Sequence, residues 1–368
     1  MKVLLIGGTG RISNDVAKLA AEKNEIYLLT RGSSSRKKFV NQKFNMIYSD
    51  IRDKDKTMKV LENKKFEVIV DFLSFNVEQL KNTLEAVKGK YKQFIFISTA
   101  TVYNKKSEKE VICEDKTATG NDKWKYAHNK YLCEKFLKEY FNKKDEKYTI
   151  IRPYVTYNET RIPYPIIPQD SMYEFSLIKR IKEGKKIPII KKGQIITTIT
   201  NSKDFAQGVV GLFGNKKAYN ESFHITSDDQ IRWEEIVEII SNYYKKTPKF
   251  INYSVEDFSK KYPDFKELLN GDKGHSMKFD NSKIKKAVPD FKCDTNITEG
   301  MKKTIEFYEV NKEYDKVDYY WYGRIDKICN DVKEKTFESR SDRIKYMLGY
   351  YNMPKIVLRA LRKVGIIK

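Results

Sequence analysis

Short apolar runs recur through the first hundred residues of this chain, and each run gives way to a polar or glycine-rich segment. The runs are rich in Val, Leu, Ile and Phe, which is typical of strands that are buried on both faces of a parallel sheet. They occupy Lys2–Ile6, Glu25–Thr30, Phe44–Ser49, Glu67–Asp71 and Gln93–Ser98. Because a helical stretch or a loop of crossover length comes after each run, the pattern predicts an α/β fold. Its first domain, residues 1–160, is expected to be a Rossmann-type doubly wound parallel sheet.

The pattern of apolar positions changes beyond Arg152-Pro153, where prolines at positions 163, 165 and 168 predict a loop. Helical periodicity then alternates with short strands, predicted at Tyr173–Glu183, Ile195–Thr200, Lys203–Phe213, Glu221–Thr226 and Trp233–Tyr244. We therefore expect a smaller mixed α/β C-terminal substrate lobe over residues 161–312, with a return to the first domain from about 195 to 225. A helical extension is expected over residues 313–368.

The end of the chain combines basic and apolar side chains. From Arg340 onward the basic residues outnumber a single acidic residue, Asp342. The apolar residues among them are Ile356, Val357, Leu358, Leu361, Val364, Ile366 and Ile367. A basic amphipathic segment of this kind can lie on an anionic membrane surface, or it can pack on the body of the protein or on a second subunit. Peripheral membrane contact through residues 340–368 is therefore one of the alternatives that the sequence leaves open.

The chain has 368 residues and a formal net charge of +22. Such a charge suits nucleic acid, an anionic membrane surface or a phosphorylated substrate, and equally a lysine-rich protein with basic solvated faces. The lysines are spread over the whole chain without an RNA-binding signature, which argues against nucleic acid as the main partner.

No apolar run approaches the roughly 20 residues that span a bilayer. The four cysteines are scattered without metal spacing. We expect a cytoplasmic protein, with association at the inner membrane surface as an alternative.

The first strand runs directly into the turn Gly7-Gly8-Thr9-Gly10, and an apolar helical pattern comes next. Strand, glycine turn and helix in this order is the context that a dinucleotide fingerprint needs. The first glycine permits the tight turn, and the second lets the backbone approach a pyrophosphate at the helix N-terminus. Ser13 stands where the pattern has its third glycine. We predict a dinucleotide held by Gly7, Thr9, Gly10, Arg11 and Ile12; the alternative is a glycine turn without a nucleotide.

The residues after the second strand bear on which dinucleotide is bound. NAD-preferring folds place an acidic residue there for the adenosine ribose, whereas here Arg31 and Arg36 flank Gly32 and a run of serines. Two arginines without a carboxylate favour a 2′-phosphate, so we predict NADP slightly ahead of NAD. Asp50, after the third strand, is a candidate for the adenine amino group or for a helix cap. The remaining cofactor candidates are Ile51, Leu73, Ser98, Pro153 and Tyr154.

Candidate catalytic residues lie after the fifth strand. Thr99 comes directly after that strand, and a helical stretch about 25 residues later carries Tyr126 and Lys130. A tyrosine and a lysine four apart lie on one helical face. The ammonium lowers the pKa of the phenol, which can then exchange a proton with a substrate hydroxyl held by Thr99. The same spacing recurs at Tyr131, Tyr140, Tyr262, Tyr308 and Tyr351. Only Tyr126 combines the right distance from the Ser-Thr strand with Glu134 behind it on an apolar helix.

Together these motifs resemble the extended short-chain dehydrogenase/reductase family, and within it the NAD-dependent epimerase/dehydratase group. The resemblance rests on Gly7-x-x-Gly10, Thr99, Tyr126-x-x-x-Lys130 and the segment Arg152–Tyr157, and it extends to about residue 312. It implies a nucleotide-linked sugar as substrate. It also implies that Tyr126 is the acid/base, that Lys130 binds the nicotinamide ribose and that Thr99 orients the reacting hydroxyl. A homodimer formed through the helix that bears Tyr126 is a further implication.

Candidate substrate contacts are spread over both predicted domains. Besides Thr99 and Tyr126 they are Ser74, Tyr157, Arg161, Lys273 and His275. Lys273 and His275 lie in a polar loop, where they can contact a diphosphate or sugar or can simply be solvated. The three histidines lack metal-ligand spacing, so we predict no metal.

The two residues directly after Thr99 narrow the choice of reaction. Dehydratases of the resembled group carry an Asp-Glu pair at this point, whereas this chain has Ala100 and Thr101, which argues against dehydration. The segment Ala100–Tyr103 looks like the 4-epimerases, while Arg31 favours an NADPH-dependent reductase of a ketosugar. We place 4-epimerisation slightly ahead. A binding protein that is RNA-associated or senses the cofactor is the alternative from another class.

Overall fold

The structure is a computed structural model, and it describes residues 1–32 and 44–367. In chain order its strands are β1 (Lys2–Ile6), β2 (Glu25–Thr30), β3 (Asn45–Tyr48), β4 (Val68–Asp71), β5 (Gln93–Ile97), β6 (Val111–Ile112), β7 (Lys147–Pro153), β8 (Thr156–Tyr157), β9 (Lys186–Ile190), β10 (Ile196–Thr197), β11 (Thr200–Asn201), β12 (Glu221–Ile225), β13 (Ile231–Arg232), β14 (Lys249–Tyr253) and β15 (Lys278–Phe279). Its helices are α1 (Ser13–Ala20), α2 (Lys54–Val60), α3 (Val77–Ala86), α4 (Lys125–Phe141), α5 (Phe175–Lys182), α6 (Ser202–Gly211), α7 (Trp233–Tyr243), α8 (Val255–Lys261), α9 (Lys266–Leu268), α10 (Ser282–Ala287), α11 (Ile297–Val310), α12 (Tyr319–Ile328), α13 (Arg340–Tyr350) and α14 (Lys355–Lys363).

The main sheet has seven strands in the order β12-β7-β5-β4-β1-β2-β3. Every pairing within it is parallel. The strand order reverses direction between β1 and β4, and the carboxyl ends of strands at such a switch point form a ligand-binding crevice. This arrangement confirms the α/β, Rossmann-type fold expected from the apolar runs.

The sheet is buried on both faces, which explains why its strands read as continuous apolar runs. One face packs against α1 and α6 through Val16, Ala20, Phe205 and Val209. The opposite face packs against α3 and α4, where Leu84 and Leu137 are buried. The sheet is thus covered by a layer of helices on each face.

The predicted element bounds are close to the observed ones. β1 and β2 begin and end where the sequence placed them, and β5 ends one residue earlier than predicted. The single strand predicted at Ile195–Thr200 is wrong, because two separate two-residue strands, β10 and β11, occupy this stretch. β11 pairs in parallel with β8, with Thr200 opposite Thr156. This long-range pairing leaves no local trace in the sequence.

The chain clusters into two compact units. The first comprises Met1–Asn158, Thr197–Gln230 and Ser276–Thr295, and the second comprises Glu159–Ile196, Ile231–His275 and Asn296–Lys368. Residues 276–295, which the sequence places in the substrate lobe, lie in the first unit, where β15 pairs with β6. Phe279 of β15 packs there in a small apolar cluster with Tyr103 and Tyr154.

The second unit contains the parallel strand pair β9–β14. α12 and α13 cross closely at two glycines, since a Cβ on Gly323 would lie 2.2 Å from the Tyr346 carbonyl oxygen. A Cβ on Gly349 would lie 2.0 Å from the Tyr320 carbonyl oxygen. Buried charges attach α12 to α5, because Arg180 Nη1 lies 2.5 Å from Asp326 Oδ1 and neither side chain is exposed. Residues 319–350 therefore pack within the second unit. Of the segment 340–368, for which the sequence left packing and membrane contact open, this includes residues 340–350.

No helix in the described part of the chain is both long and apolar enough to cross a membrane.

Candidate active site and cofactor pocket

The glycine turn after β1 is closed by a serine hydroxyl. Ser13 Oγ donates a 2.7 Å hydrogen bond to the Gly7 carbonyl and accepts a 2.8 Å hydrogen bond from the Gly10 amide. Gly7 has a φ of +82°, a conformation that side chains rarely adopt. Ser13 is thus an active part of the turn, because a third glycine could not make either bond. From the sequence alone, Ser13 looked only like a small substitute for that glycine.

Leu73, at the end of β4, lies directly on this turn. A Cβ added at Gly7 would lie 2.6 Å from Leu73 Cγ, so the close approach requires glycine there. The Leu73 amide donates a 2.8 Å hydrogen bond to Asp71 Oδ1, which holds the segment after β4 in place. The turn and the β4 end therefore meet at the switch point of the sheet.

A cavity of about 410 Å³ opens at this switch point. Predicted cofactor and substrate residues that line it are Gly7, Thr9, Gly10, Arg31, Asp50, Ile51, Leu73 and Ser74. Its other lining residues are Leu29, Thr30, Ser49, Arg52, Phe75, Gln79, Asn82 and Thr83. Gln79, Asn82 and Thr83 belong to α3 and are spaced i, i+3 and i+4, so a polar face on a helix after β4 was the signal that could have found them. A glycine turn with no room for a Cβ, at the N-terminus of α1, suits the pyrophosphate of a dinucleotide.

Other predicted cofactor residues lie elsewhere in the first unit. The Arg11 carbonyl accepts a 3.1 Å hydrogen bond from Asn158 Nδ2, and Ile12 packs against the core beside α1. Tyr154 is buried, with its ring 5.1 Å from that of Phe279. Pro153 ends β7 and is half-buried. Arg36 lies outside the described residues.

Arg31 has an acidic neighbour that the sequence did not reveal. Arg31 Nη1 lies 4.0 Å from Asp50 Oδ2, and both side chains border the cavity. β2 and β3 are parallel neighbours, so the residues that come after them lie together. The end of β2 has no carboxylate of its own, but Asp50, two residues after β3, brings one close to Arg31. The expectation of NADP rested on two arginines and on the lack of a carboxylate near them. The structure removes the second of these premises.

Lys130 lies on α4 and is buried at the carboxyl ends of β4 and β5. Its Nζ donates 2.7 Å hydrogen bonds to the carbonyls of Ser74 and Ile97. The ammonium also faces the rings of Phe75 and Phe96, at 4.8 and 4.7 Å from their centroids. Burial lowers the pKa of Lys130 to about 8, although the charge of Asp71 opposes that shift. The cation can therefore lose its proton at a pH only slightly above neutrality.

Tyr126 is half-buried on the first turn of α4, one helical turn before Lys130. Its ring centroid lies 6.4 Å from that of Phe75 and 5.0 Å from that of Trp124. Phe75 also lines the cavity and faces the Lys130 ammonium. One aromatic side chain therefore adjoins the cavity, Tyr126 and Lys130.

Thr99 comes after β5, whose last residue provides one of the carbonyls that Lys130 contacts. Its side chain is only 5% exposed, and Oγ1 lies 3.1 Å from Thr101 Oγ1. Oγ1 also accepts a 3.3 Å hydrogen bond from the Thr101 amide at the start of a short helical turn. The next residue is Ala100, which is buried. This position therefore provides no acidic side chain beside Thr99.

Behind these residues lies a buried network centred on Glu134. Glu134 Oε1 accepts a 2.6 Å hydrogen bond from Ser98 Oγ, and its Oε2 lies 2.7 Å from Arg152 Nη2. Arg152 Nη1 donates a 2.9 Å hydrogen bond to Tyr103 OH. The network joins α4 and β7 to Ser98, the residue directly before Thr99. Ser98, predicted to contact the cofactor, is placed here as a structural partner of Glu134.

The network continues to His224, which is one of three histidines in the chain. His224 Nδ1 lies 3.1 Å from Tyr103 OH, and burial lowers the pKa of the imidazole to about 4. Burial raises the pKa of the neighbouring Glu114 to about 7. No group of His, Cys, Asp or Glu residues that could hold a metal occurs among the described residues.

The predicted substrate contacts divide between the units. Ser74 and Tyr157 lie in the first unit and are buried, with the Ser74 hydroxyl 3.2 Å from Thr83 Oγ1. Burial raises the pKa of Tyr157 to about 12. Lys273 and His275 lie in the second unit, where Lys273 Nζ is 2.5 Å from Asp272 Oδ2 and His275 Nε2 is 3.1 Å from the Asn270 carbonyl oxygen. Arg161 is near enough to lower the pKa of Lys273 electrostatically, after burial as the main cause.

Thr99, Tyr126 and Lys130 lie within a region that matches a known protein family. Residues 3–225 match the model of the NAD dependent epimerase/dehydratase family. A chloroplast stem-loop binding protein of 41 kDa from Arabidopsis thaliana is 26% identical over 270 residues, which cover 70% of this chain and 67% of that protein. A UDP-glucose 4-epimerase from Lactobacillus helveticus is 29% identical over 171 residues, which cover 41% of this chain and only 51% of that enzyme.

Among solved structures, a UDP-glucuronic acid 4-epimerase from Bacillus cereus in complex with NAD has a similar fold. The TM-score is 0.65 at 19% identity, and the superposition covers 85% of this chain and 98% of the epimerase. At this identity the likeness concerns the fold alone.

Proposed function

The chain belongs to the NAD dependent epimerase/dehydratase family, and from that premise we propose that it is an NAD(P)-dependent 4-epimerase of a nucleotide-linked sugar. One observation carries the proposal, namely that Lys130 is buried beside the cofactor cavity with Tyr126 one turn away on α4. Thr99 lies two residues after Ile97, the last residue of β5, whose carbonyl accepts a hydrogen bond from Lys130. A protein that only binds a ligand has no physical need of this trio. The relative from Lactobacillus helveticus, which is named a UDP-glucose 4-epimerase, points in the same direction.

A dinucleotide held at the glycine turn would supply reversible hydride transfer at the carbon that bears the reacting hydroxyl. Tyr126 accepts the proton of the sugar hydroxyl and returns it when the hydroxyl is restored. Lys130, when protonated, stabilises the Tyr126 phenolate electrostatically. Thr99 hydrogen-bonds the reacting hydroxyl and orients it. Because Ala100 and Thr101 come after Thr99, the chain has no acid there to expel a second hydroxyl, so dehydration is not proposed.

An NADPH-dependent reduction of a nucleotide-linked ketosugar is the alternative within the same chemistry. Arg31 at the cavity favours it, since a guanidinium can bind the 2′-phosphate of NADP. The Asp50 carboxylate beside Arg31 argues against this alternative, because its negative charge repels a 2′-phosphate. The cofactor released when the purified protein is denatured separates the two reactions, because an epimerase retains its hydride carrier and a reductase exchanges it.

The central test is Tyr126→Phe, with Tyr131→Phe as the matched control. Tyr131 lies on the same helix, with Lys135 four residues later. We expect Tyr126→Phe to bind the dinucleotide normally and to lose at least about 100-fold in turnover of UDP-hexoses, while Tyr131→Phe remains active. Near-normal turnover by Tyr126→Phe refutes the assignment.

A stem-loop RNA ligand is the candidate function from another class. Two observations favour it, the net charge of +22 and the stem-loop binding relative. An RNA-binding function predicts an affinity that falls steeply as salt rises and that survives Tyr126→Phe. A cofactor-sensing protein predicts dinucleotide binding without turnover of any sugar nucleotide. The nucleotide-linked substrate and the homodimer stay predictions.

A further inference from the structure

The last helix, α14, carries two parallel stripes on its exposed side. Lys355, Arg359 and Lys363 are spaced four residues apart, and so are Ile356, Ala360 and Val364 one position later. Residues four apart in a helix lie on one face, so a basic stripe runs beside an apolar stripe for the length of the helix. All six residues are exposed.

The apolar stripe is distinct from the face by which α14 packs on the protein. Ile356 is 71% exposed and Val364 is 68% exposed. Leu358, at 7% exposure, belongs instead to a cluster with Tyr320 and Ile367 that includes the partly buried Leu361. α14 is therefore anchored through Leu358 and Leu361, while its second apolar face meets solvent.

The basic stripe is largely uncompensated. Residues 355–367 contain no Asp or Glu. Lys355 pairs with Asp264, with Nζ 2.9 Å from Oδ2. Arg359 and Lys363 form no ion pair with a described carboxylate. Two cations therefore remain available to an outside anion.

A groove on α13 adjoins α14. Its volume is about 540 Å³, and its lining residues are Arg340, Arg343, Ile344, Met347, Leu348, Tyr351 and Met353. Ile344 and Leu348 also pack against the cluster that anchors α14. Arginines are thus combined with partly buried and exposed apolar side chains next to the helix.

We propose that the exposed side of α14 and the adjoining α13 groove form a surface that binds an anionic lipid bilayer. A bilayer interface presents negative headgroups next to acyl chains along a plane, which matches a basic stripe and an apolar stripe running side by side. A nucleic acid backbone complements only the basic stripe and leaves Ile356 and Val364 in water. The surface is independent of the proposed reaction, because none of its residues belongs to the cofactor pocket.

The test is sedimentation of the full-length protein with two kinds of vesicle. One is phosphatidylcholine with about one third phosphatidylserine, and the other is phosphatidylcholine alone. We expect binding to the anionic vesicles only. Arg359→Gln/Lys363→Gln should lower the partition coefficient by about tenfold or more, and Ile356→Ser/Val364→Ser should lower it by a similar factor. The changed side chains are exposed, so the fold should persist and circular dichroism will verify it.

Two matched controls separate this surface from general basicity. Val310→Ser/Val332→Ser removes apolar side chains that are 80% and 71% exposed elsewhere in the second unit. Lys302→Gln/Lys303→Gln removes two exposed cations from α11. Both controls should bind like the unaltered protein. The proposal is overturned if the unaltered protein does not sediment, if the controls lose binding equally, or if phosphatidylcholine alone binds as well. Competition by RNA for the same α14 cations would overturn it too.

Discussion

The Lys130 ammonium donates a 2.7 Å hydrogen bond to the Ser74 carbonyl, which joins α4 to the segment after β4. This bond holds the cation at the edge of the cofactor cavity, since Ser74 is one of the cavity's lining residues. It also places the cation where burial lowers its pKa to about 8. The proposed partner of Tyr126 is therefore a lysine whose charge depends on pH in an accessible range.

This pKa makes a prediction about stability. Between about pH 8 and the usual lysine value of 10.5, the unfolded chain keeps the proton of Lys130 while the folded protein has released it. Stability rises with pH wherever the unfolded state binds more protons, so Lys130 contributes a rise over this window. We expect the difference in unfolding free energy between the unaltered protein and Lys130→Met to increase from pH 8 to 10, measured by urea denaturation. A pH-independent difference would contradict the lowered pKa.

A second prediction concerns Arg31 and Asp50 and the choice of dinucleotide. Asp50 lies beside Arg31, so its carboxylate would repel a 2′-phosphate bound to that guanidinium. Two like unit charges about 4 Å apart in bulk water repel each other by about 1 kcal/mol. Asp50→Asn should therefore improve NADP affinity relative to NAD by roughly fivefold, and Arg31→Ala should weaken NADP more than NAD. Calorimetric titration of both dinucleotides measures the ratio, with Lys23→Ala as a distant control. Equal effects on both dinucleotides would show that this pair does not contact the 2′ position.

A third prediction concerns the buried pair of Glu134 and Arg152, whose side chains are each 3% exposed. Glu134→Gln leaves the guanidinium buried without a counter-charge, and breaking such a pair costs about 3–5 kcal/mol. Chemical denaturation will measure the loss of unfolding free energy. Glu139→Gln, at an exposed position on the same helix, should change it by less than about 0.5 kcal/mol. A loss of comparable size in both variants would argue against a special role for the pair.

A fourth prediction concerns the crossing of α12 and α13. In Gly323→Ala the new methyl group meets the Tyr346 carbonyl at 2.2 Å, and overpacking of this kind costs about 1–3 kcal/mol or more. Hydrogen exchange of the amides in α12 and α13 should accelerate. Gly184→Ala is the control, because no atom lies within 4 Å of the added carbon and only its φ of +64° is strained. If exchange in α12 and α13 stays unchanged in Gly323→Ala, the helices do not depend on this contact.

Much of the fold was predictable, because the signals that encode it are local. Continuous apolar runs indicate buried parallel strands wherever they occur, so β1 and β2 were placed to the residue. The placement of Tyr126 and Lys130 one turn apart on the same helix was likewise predictable, since four-residue spacing is a property of the sequence. The strand at 195–200 was mispredicted because β11 exists only through its pairing with β8.

The sequence by itself determined the glycine turn, the parallel sheet and the helix that carries Tyr126 and Lys130, because periodicity and turn chemistry act over a few residues. Only the tertiary structure decided that Asp50 meets Arg31, that Ser13 closes the glycine turn and that α14 keeps one apolar face in solvent. These features depend on strand register and helix packing, which bring together residues that are distant in the chain or select which face is covered. Such choices result from the balance of contacts across the whole fold, and no short stretch of sequence records them.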